Sequence, residues 1–188
     1  MNAIITGSNR GIGKAMVEAF AAGGYNIWAC ARKSTPEHEA WLNETALNNG
    51  VWIKPVYFEM SDAESVNNGI KQILDENETV DVLVNNAGIS TVGLLSMSKV
   101  DDIRKLFEVN YFAMLQIIQK VSKKMSRQKK GAIINMGSIA GIEPQPGKIA
   151  YGSSKAAVMM MTDEKPSCFN KQMRNKPIHV GINNGKKG

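Results

Sequence analysis

Cysteine and histidine are almost missing from this chain, with two of each in 188 residues. Cys30 and Cys168 form no Cys-x-x-Cys pair, so neither a zinc site nor a disulfide scaffold is expected. Cys30 lies in the apolar run NIWACA and reads as a small buried hydrophobe. His38 and His179 have no Cys or carboxylate partner at ligand spacing, so no metal is expected, and His38 is expected on an exposed helix. No apolar run approaches the ~20 residues that span a bilayer. The opening MNAIITGSNRGIGKA lacks a basic leader with an apolar core and cleavage site, which argues against a signal peptide. A reducing cytoplasm is the expected compartment.

Acid is in deficit, and the net charge of +6 suggests nucleic acid or acidic lipid until it is located. Residues 163–188 hold six Lys/Arg and two Asp/Glu, which accounts for four of those six charges. A second basic cluster, Lys120, Lys123, Lys124, Arg127, Lys129 and Lys130, falls at a predicted helix end. Cations there complement the helix dipole and solvate a surface. Neither nucleic acid nor membrane is therefore expected as a partner.

What is present is a globular composition, 43% hydrophobic and 21% charged, long enough for one domain with a sizeable core. Apolar strands alternate with amphipathic helices. NAIIT leads through a glycine-rich turn into GKAMVEAFAAGG, where Ala15, Met16, Ala19 and Phe20 recur at helical spacing. YNIWACA is a second strand, followed by a helix with Ser34 or Thr35 as N-cap, Pro36 in its first turn and Gly50 as its stop. Pro55 marks the third strand as an edge or a bulge, and Ser61 with Glu64 has the spacing of a capping box. VDVLVNNAG is a fourth strand running into a turn, a long helix covers about 98–127, and GAIINMGS is a fifth strand before AYGSSKAAVMMMT. This order predicts an α/β fold, a doubly wound parallel sheet with ligands at the carboxyl ends of its strands.

TGSNRGIG, residues 6–13, places Gly7, Gly11 and Gly13 between the first strand and the first helix. Glycine lets the main chain turn sharply beside a pyrophosphate, and the helix N-terminus offers free N–H groups. There is no Gly-Lys-Ser/Thr ending, so nucleotide hydrolysis is not indicated. At the end of the second strand, where an NAD site usually carries Asp or Glu, the chain reads ACARK. Arg32, together with Arg10 in the glycine loop, suits a 2′-phosphate and favours NADP.

Further motifs follow in order: Asn85-Asn86-Ala87-Gly88 after the fourth strand, Asn110 in the long helix, Ser138 after the fifth strand, and Tyr151-x-x-x-Lys155. With Thr6 before the glycine loop, this set resembles the short-chain dehydrogenase/reductase family, closest to the 3-oxoacyl-acyl-carrier-protein reductase-like ketoreductases. The resemblance runs over residues 1–162 and implies a Rossmann fold with NADPH as cofactor. It implies cofactor contacts from Gly7, Ser8, Asn9, Arg10, Gly11, Ile12 and Gly13, and from Arg32. Glu59 and Met60 would flank the adenine, although Glu59 stands where Asp or Asn is usual. Asn86, with Ala87 and Gly88, would line the path to the nicotinamide ribose.

Tyrosine and lysine at this spacing occupy one helix face, and a nearby ammonium lowers a phenol from its free value of about 10 by favouring the phenolate. Tyr151 is thus the expected general acid for carbonyl reduction. The resemblance adds that Lys155 holds the ribose hydroxyls, that Ser138 bonds the substrate oxygen, and that the Asn110 carbonyl joins Lys155 to a proton relay through water. The substrate would be a small carbonyl compound or a carrier-bound acyl group. Met159, Met160 and Met161 read as core and interface packing. The stripe Leu106, Met114, Ile117 and Val121, with the run Val158–Met161, offers more apolar surface than one sheet face should cover. A homodimer or homotetramer through these helices is expected.

After Thr162 the pattern departs. Residues 163–188 read as an atypical basic tail in place of the usual sixth strand and substrate lobe, with only a faint likeness to that strand in NKPIHVGINNG. Pro166 falls where a helix interior is expected, and Asn184–Gly185 stands for a Pro-Gly turn. A shortened or frame-altered chain, with an open sheet edge and a wet active site, is the expectation. Its alternative function would be a dinucleotide-binding remnant with little or no catalytic activity.

Overall fold

The structure, a computed structural model, describes residues 1–76 and 78–162 and the backbone of Arg174–Ile178. Six strands form one sheet: β1 Asn2–Thr6, β2 Asn26–Ala31, β3 Ile53–Tyr57, β4 Val82–Asn85, β5 Ala132–Met136 and β6 Arg174–Ile178. All pair in parallel, in the order β3-β2-β1-β4-β5-β6. The order reverses direction between β1 and β4, so the loops after these strands diverge and leave a crevice at their carboxyl ends.

Alternate residues of each strand face opposite layers, and both layers are apolar. Ile4, Trp28, Cys30, Val56, Leu83 and Ile133 pack against α3 (Ala63–Asp75), α5 (Ala113–Gln128) and α6 (Ile149–Thr162). Ala3, Ile5, Ile27, Ala29, Ile53 and Val84 pack on α1 (Gly11–Ala22) and α2 (Pro36–Asn49). Strands covered on both faces read as near-continuous hydrophobic runs, which NAIIT and NIWACA are.

Local signals were realised with three changes. Thr35 caps α2, accepting from His38 N at 3.2 Å, and Gly50 closes the helix at φ 63°. Asp62, not Ser61, caps α3: its Oδ1 accepts from Glu64 N and Ser65 N, so the Ser61–Glu64 capping box does not form. A carboxylate one residue further on reaches both amides and displaces the hydroxyl. The long helix is α4 (Val100–Phe107), a π-helical turn over Glu108–Phe112, then α5. π turns are frequent at functional sites, and this one holds Asn110. His38 is buried, 7% exposed, rather than on an open face, because Trp41 stacks on it at 5.8 Å and Tyr57 abuts its edge.

The apolar stripe is core. Leu106, Ile117 and Val121 are fully buried within the single chain, and Met114 and Val158 nearly so. For Met114, Ile117 and Val121 the second surface is α3, which lies beside α5 on the same sheet face, so these residues have no area left for a partner; Met160, in the Val158–Met161 run, stays exposed. Pro55 lies in β3, an edge strand, as expected. The tail, expected to replace the sixth strand, supplies one: Asn175 and Lys176 stand opposite Ile133 and Ile134. Parallel pairing needs main-chain groups rather than an apolar pattern, and Pro177 is tolerated because β6 is a sheet edge among the described residues. The expectations for Pro166, Cys168, His179 and Asn184–Gly185 lie outside the described residues.

Candidate active site

The loop after β1 is shaped by close approach. Gly7 has φ 68° and Gly11 φ 53°, the left-handed region that favours glycine. A Cβ on Gly13 would strike the Gly7 carbonyl oxygen and the Asn86 amide, and one on Gly7 would lie 2.9 Å from Ala87 Cα. Thr6 pins the loop to its neighbour: its Oγ1 accepts from Asn86 N at 3.0 Å and Ala87 N at 3.1 Å. The Asn86 side-chain amide donates in return to the Thr6 and Gly7 carbonyls. Ser8 is fully buried, and its hydroxyl donates to the Cys30 carbonyl at 3.0 Å.

This loop floors a cleft of about 670 Å³ whose walls include Asn9, Arg10, Gly11, Ile12, Arg32, Glu59, Met60, Ala87 and Gly88. The cleft suits a dinucleotide in its donors as well as its size. Unlike α2 and α3, α1 has no side-chain cap and no acid in its first turn, so its leading N–H groups are free for an anion. Arg10 and Arg32 have no ion-pair partner among the described residues.

Beyond Gly88 the construction changes to buried side chains. Asn110, 1% exposed, clasps the main chain of Ile89: Oδ1 accepts from its N–H at 2.8 Å, and Nδ2 donates to its carbonyl at 2.9 Å. The same Nδ2 donates to Ser154 Oγ, which donates to the Tyr151 carbonyl at 2.8 Å. Lys155 is buried, and its ammonium donates to the Met136 carbonyl at 2.7 Å, two residues before Ser138. Burial alone lowers its pKa from 10.5 to about 8. A Cβ on Gly88 would lie 3.2 Å from Asn110 Oδ1 and 3.8 Å from Lys155 Nζ, so the cleft ends against this cluster.

Ser138 caps a short 3-10 turn, Ile139–Gly141, accepting from Ala140 N at 3.2 Å. That turn packs on α6 through glycines: a Cβ on Gly152 would sit 2.5 Å from the Ala140 oxygen, and one on Gly141 2.8 Å from Ala156 N.

The sequence matches the family model described as short chain dehydrogenase over residues 1–181. The chain belongs to the short chain dehydrogenase family. It is 38% identical over 160 residues to a 3-oxoacyl-acyl-carrier-protein reductase of Synechocystis, covering 85% of this chain and 64% of that one. The corresponding reductase of Staphylococcus aureus is 34% identical, covering 86% and 65%. The chain thus spans 64–65% of the length of these curated relatives. Among solved structures it resembles an alcohol dehydrogenase of the archaeon Thermococcus sibiricus, complexed with 5-hydroxy-NADP, with TM-score 0.87 and 26% identity. That match covers 96% of this chain and 75% of the other.

The short chain dehydrogenase fold lines one cleft with Gly7, Asn9, Arg10, Gly11, Ile12, Gly13, Arg32, Glu59, Met60, Asn86, Ala87 and Gly88. Asn110 and Lys155 lie behind Gly88, while Ser138 and Tyr151 are not among the lining residues. Ser8 is the exception in the loop, because its side chain turns away from the cleft into the protein. Asn86 lines the cleft, but its amide holds the glycine loop rather than pointing free toward a ribose. Sequence reasoning missed Gly141, Gly152 and Ser154. The latter two lay in plain view as the small residues of YGSSK. The Met136 carbonyl left no sequence signal at all, since any residue supplies one. Among the described residues, no group of three or more metal-ligating side chains forms, and no helix is long and apolar enough to cross a membrane.

Proposed function

We propose that this short chain dehydrogenase is an NADPH-dependent ketoreductase of the 3-oxoacyl reductase type. The observation that carries the reading is the buried Lys155 ammonium, beside Gly88 and Asn110 where the cleft ends, one helical turn from Tyr151. When bound, NADPH supplies a hydride to the carbonyl carbon. The glycine loop and the α1 N-terminus hold the pyrophosphate, Arg10 and Arg32 the 2′-phosphate, and Glu59 and Met60 the adenine. Tyr151 donates a proton to the substrate oxygen, and the Lys155 charge stabilises the phenolate left behind. Ser138 gives that oxygen a second hydrogen bond, and its capped turn fixes the hydroxyl's origin. Asn110 holds the Ile89 main chain and the Tyr151 turn together, while its carbonyl serves the proton relay.

A carrier-bound 3-oxoacyl group is the proposed substrate, since the relatives quoted above are named for it. The cytoplasm is the proposed location. A homodimer or homotetramer is proposed through residues that are open in the single chain, Phe112 at 51% and Met160 at 78% exposure, and light scattering measures it. Mixing the purified chain with NADPH and a 3-oxoacyl thioester tests the chemistry directly. Consumption of NADPH is the expected result; tight binding without consumption would leave a dinucleotide-binding remnant.

A further inference from the structure

Arg32 is exposed on a four-residue connection, Arg32 to Thr35, between β2 and α2. The opposite wall of the same end of the cleft is Phe58, Glu59 and Met60, directly after β3. The ladder ties these walls only at their roots, where Ala31 stands opposite Tyr57 and Phe58 N donates to the Ala31 carbonyl at 3.0 Å. Beside those main-chain bonds, the side chains of Ser34, Tyr57 and Glu39 meet in one cluster. Glu39, in the first turn of α2, accepts from Ser34 Oγ at 2.5 Å and from Tyr57 OH at 3.1 Å, both on the single oxygen Oε1.

We propose that Glu39 is a positioning residue for cofactor choice, a clamp that holds the Arg32 connection against the β3 wall so that Arg32 reads a 2′-phosphate. This rests on the NADPH reading above. The two donated hydrogen bonds hold the Glu39 carboxyl below its ordinary range, so it is an ionised acceptor at neutral pH. Tyr57 is itself confined, its ring against buried His38, which stacks on Trp41. The clamp therefore has one packed arm, Tyr57, and one exposed arm, Ser34. Releasing the exposed arm lets a long arginine side chain sample other arrangements. That loss falls on a ligand that needs Arg32 and spares one that does not.

Calorimetric Kd values for NADPH and NADH, with thermal midpoints of the ligand-free protein, test it in wild type, Glu39→Ala, Glu39→Gln and Ser34→Ala. Glu39→Ala should weaken NADPH about tenfold, the size expected for two lost hydrogen bonds, and leave NADH within about twofold. Glu39→Gln keeps an acceptor oxygen and should restore most of the preference. Ser34→Ala removes one donor at an exposed position without threatening the fold, and should weaken NADPH about threefold. An unchanged NADPH/NADH ratio in Glu39→Ala and Ser34→Ala overturns the clamp while the NADPH reading stands. Equal weakening of both cofactors with a lowered midpoint also overturns it, as a purely structural effect. A wild type without preference overturns both readings.

Discussion

On the β1–β3 side of the sheet, the cleft is shaped by the main chain. Gly7 and Gly13 leave room that a side chain would fill, Gly11 adopts a left-handed φ of 53°, and the bonds that brace the turn end on carbonyls and amides. On the β4–β6 side, the site is shaped by buried side chains that cross the fold. Asn110 reaches Ile89 and Ser154, Lys155 reaches Met136, and Asn85 reaches Asn135, which reaches Thr162. The first half offers donors to a ligand that brings its own charge. On the proposed function, the second holds a lysine and a tyrosine in one arrangement, and its buried amides and hydroxyls are held by one another, with Asn85 Oδ1 left unpaired. Binding and chemistry should therefore fail separately.

The largest separation is expected from Tyr151→Phe. Carbonyl reduction should fall by roughly 10²–10⁴ while NADPH affinity in calorimetry stays within about twofold. A variant that keeps most of its turnover would remove Tyr151 from the chemistry and dissolve the contrast.

A matched pair of glycines sharpens it. Gly13→Ala and Gly152→Ala each force a methyl into a carbonyl oxygen, so each should cost about 1–3 kcal/mol in denaturant unfolding. Their functional losses should differ. Gly13→Ala should weaken NADPH at least tenfold, whereas Gly152→Ala should lower kcat by pushing α6 from the Ser138 turn and leave NADPH affinity near wild type. Equal losses of affinity in both would mean that the halves are mechanically one.

Within the cofactor half, Arg32→Asp should shrink or invert the preference for NADPH over NADH by about tenfold, the order of one charge-assisted hydrogen bond. Equal affinities in the unmodified protein would remove the NADP assignment.

The smallest effect is a pH signature of the half that holds Lys155. Lys155 titrates at about 8 in the folded chain against 10.5 ordinarily, so between those values the unfolded chain holds a proton that the folded chain lacks. Stability attributable to this residue should rise with pH across that window, and below about 8 the desolvation penalty is fully present. Thermal midpoints of wild type and Lys155→Met should keep a constant difference below pH 8 and then move in favour of wild type. A difference that never moves would place the ammonium in water.

The sequence alone determined the strand–helix alternation, the parallel sheet and the glycine loop, because each expresses a local need, a period or a turn; it named Asn110, Ser138, Tyr151 and Lys155 as the proposed reacting set by resemblance. It misjudged His38 and the Leu106–Val121 stripe, whose burial depends on what other elements lay against them. Only the tertiary structure decided that α3 covers Met114, Ile117 and Val121, that Arg174–Ile178 continues the sheet, and that Asn110 sits in a π turn clasping Ile89. It also decided that the small residues of YGSSK exist for contact, Gly152 with Ala140 and Ser154 with Asn110. Those partners lie 12 and 44 positions away along the chain, and at such separations no local periodicity or propensity records which atoms will meet.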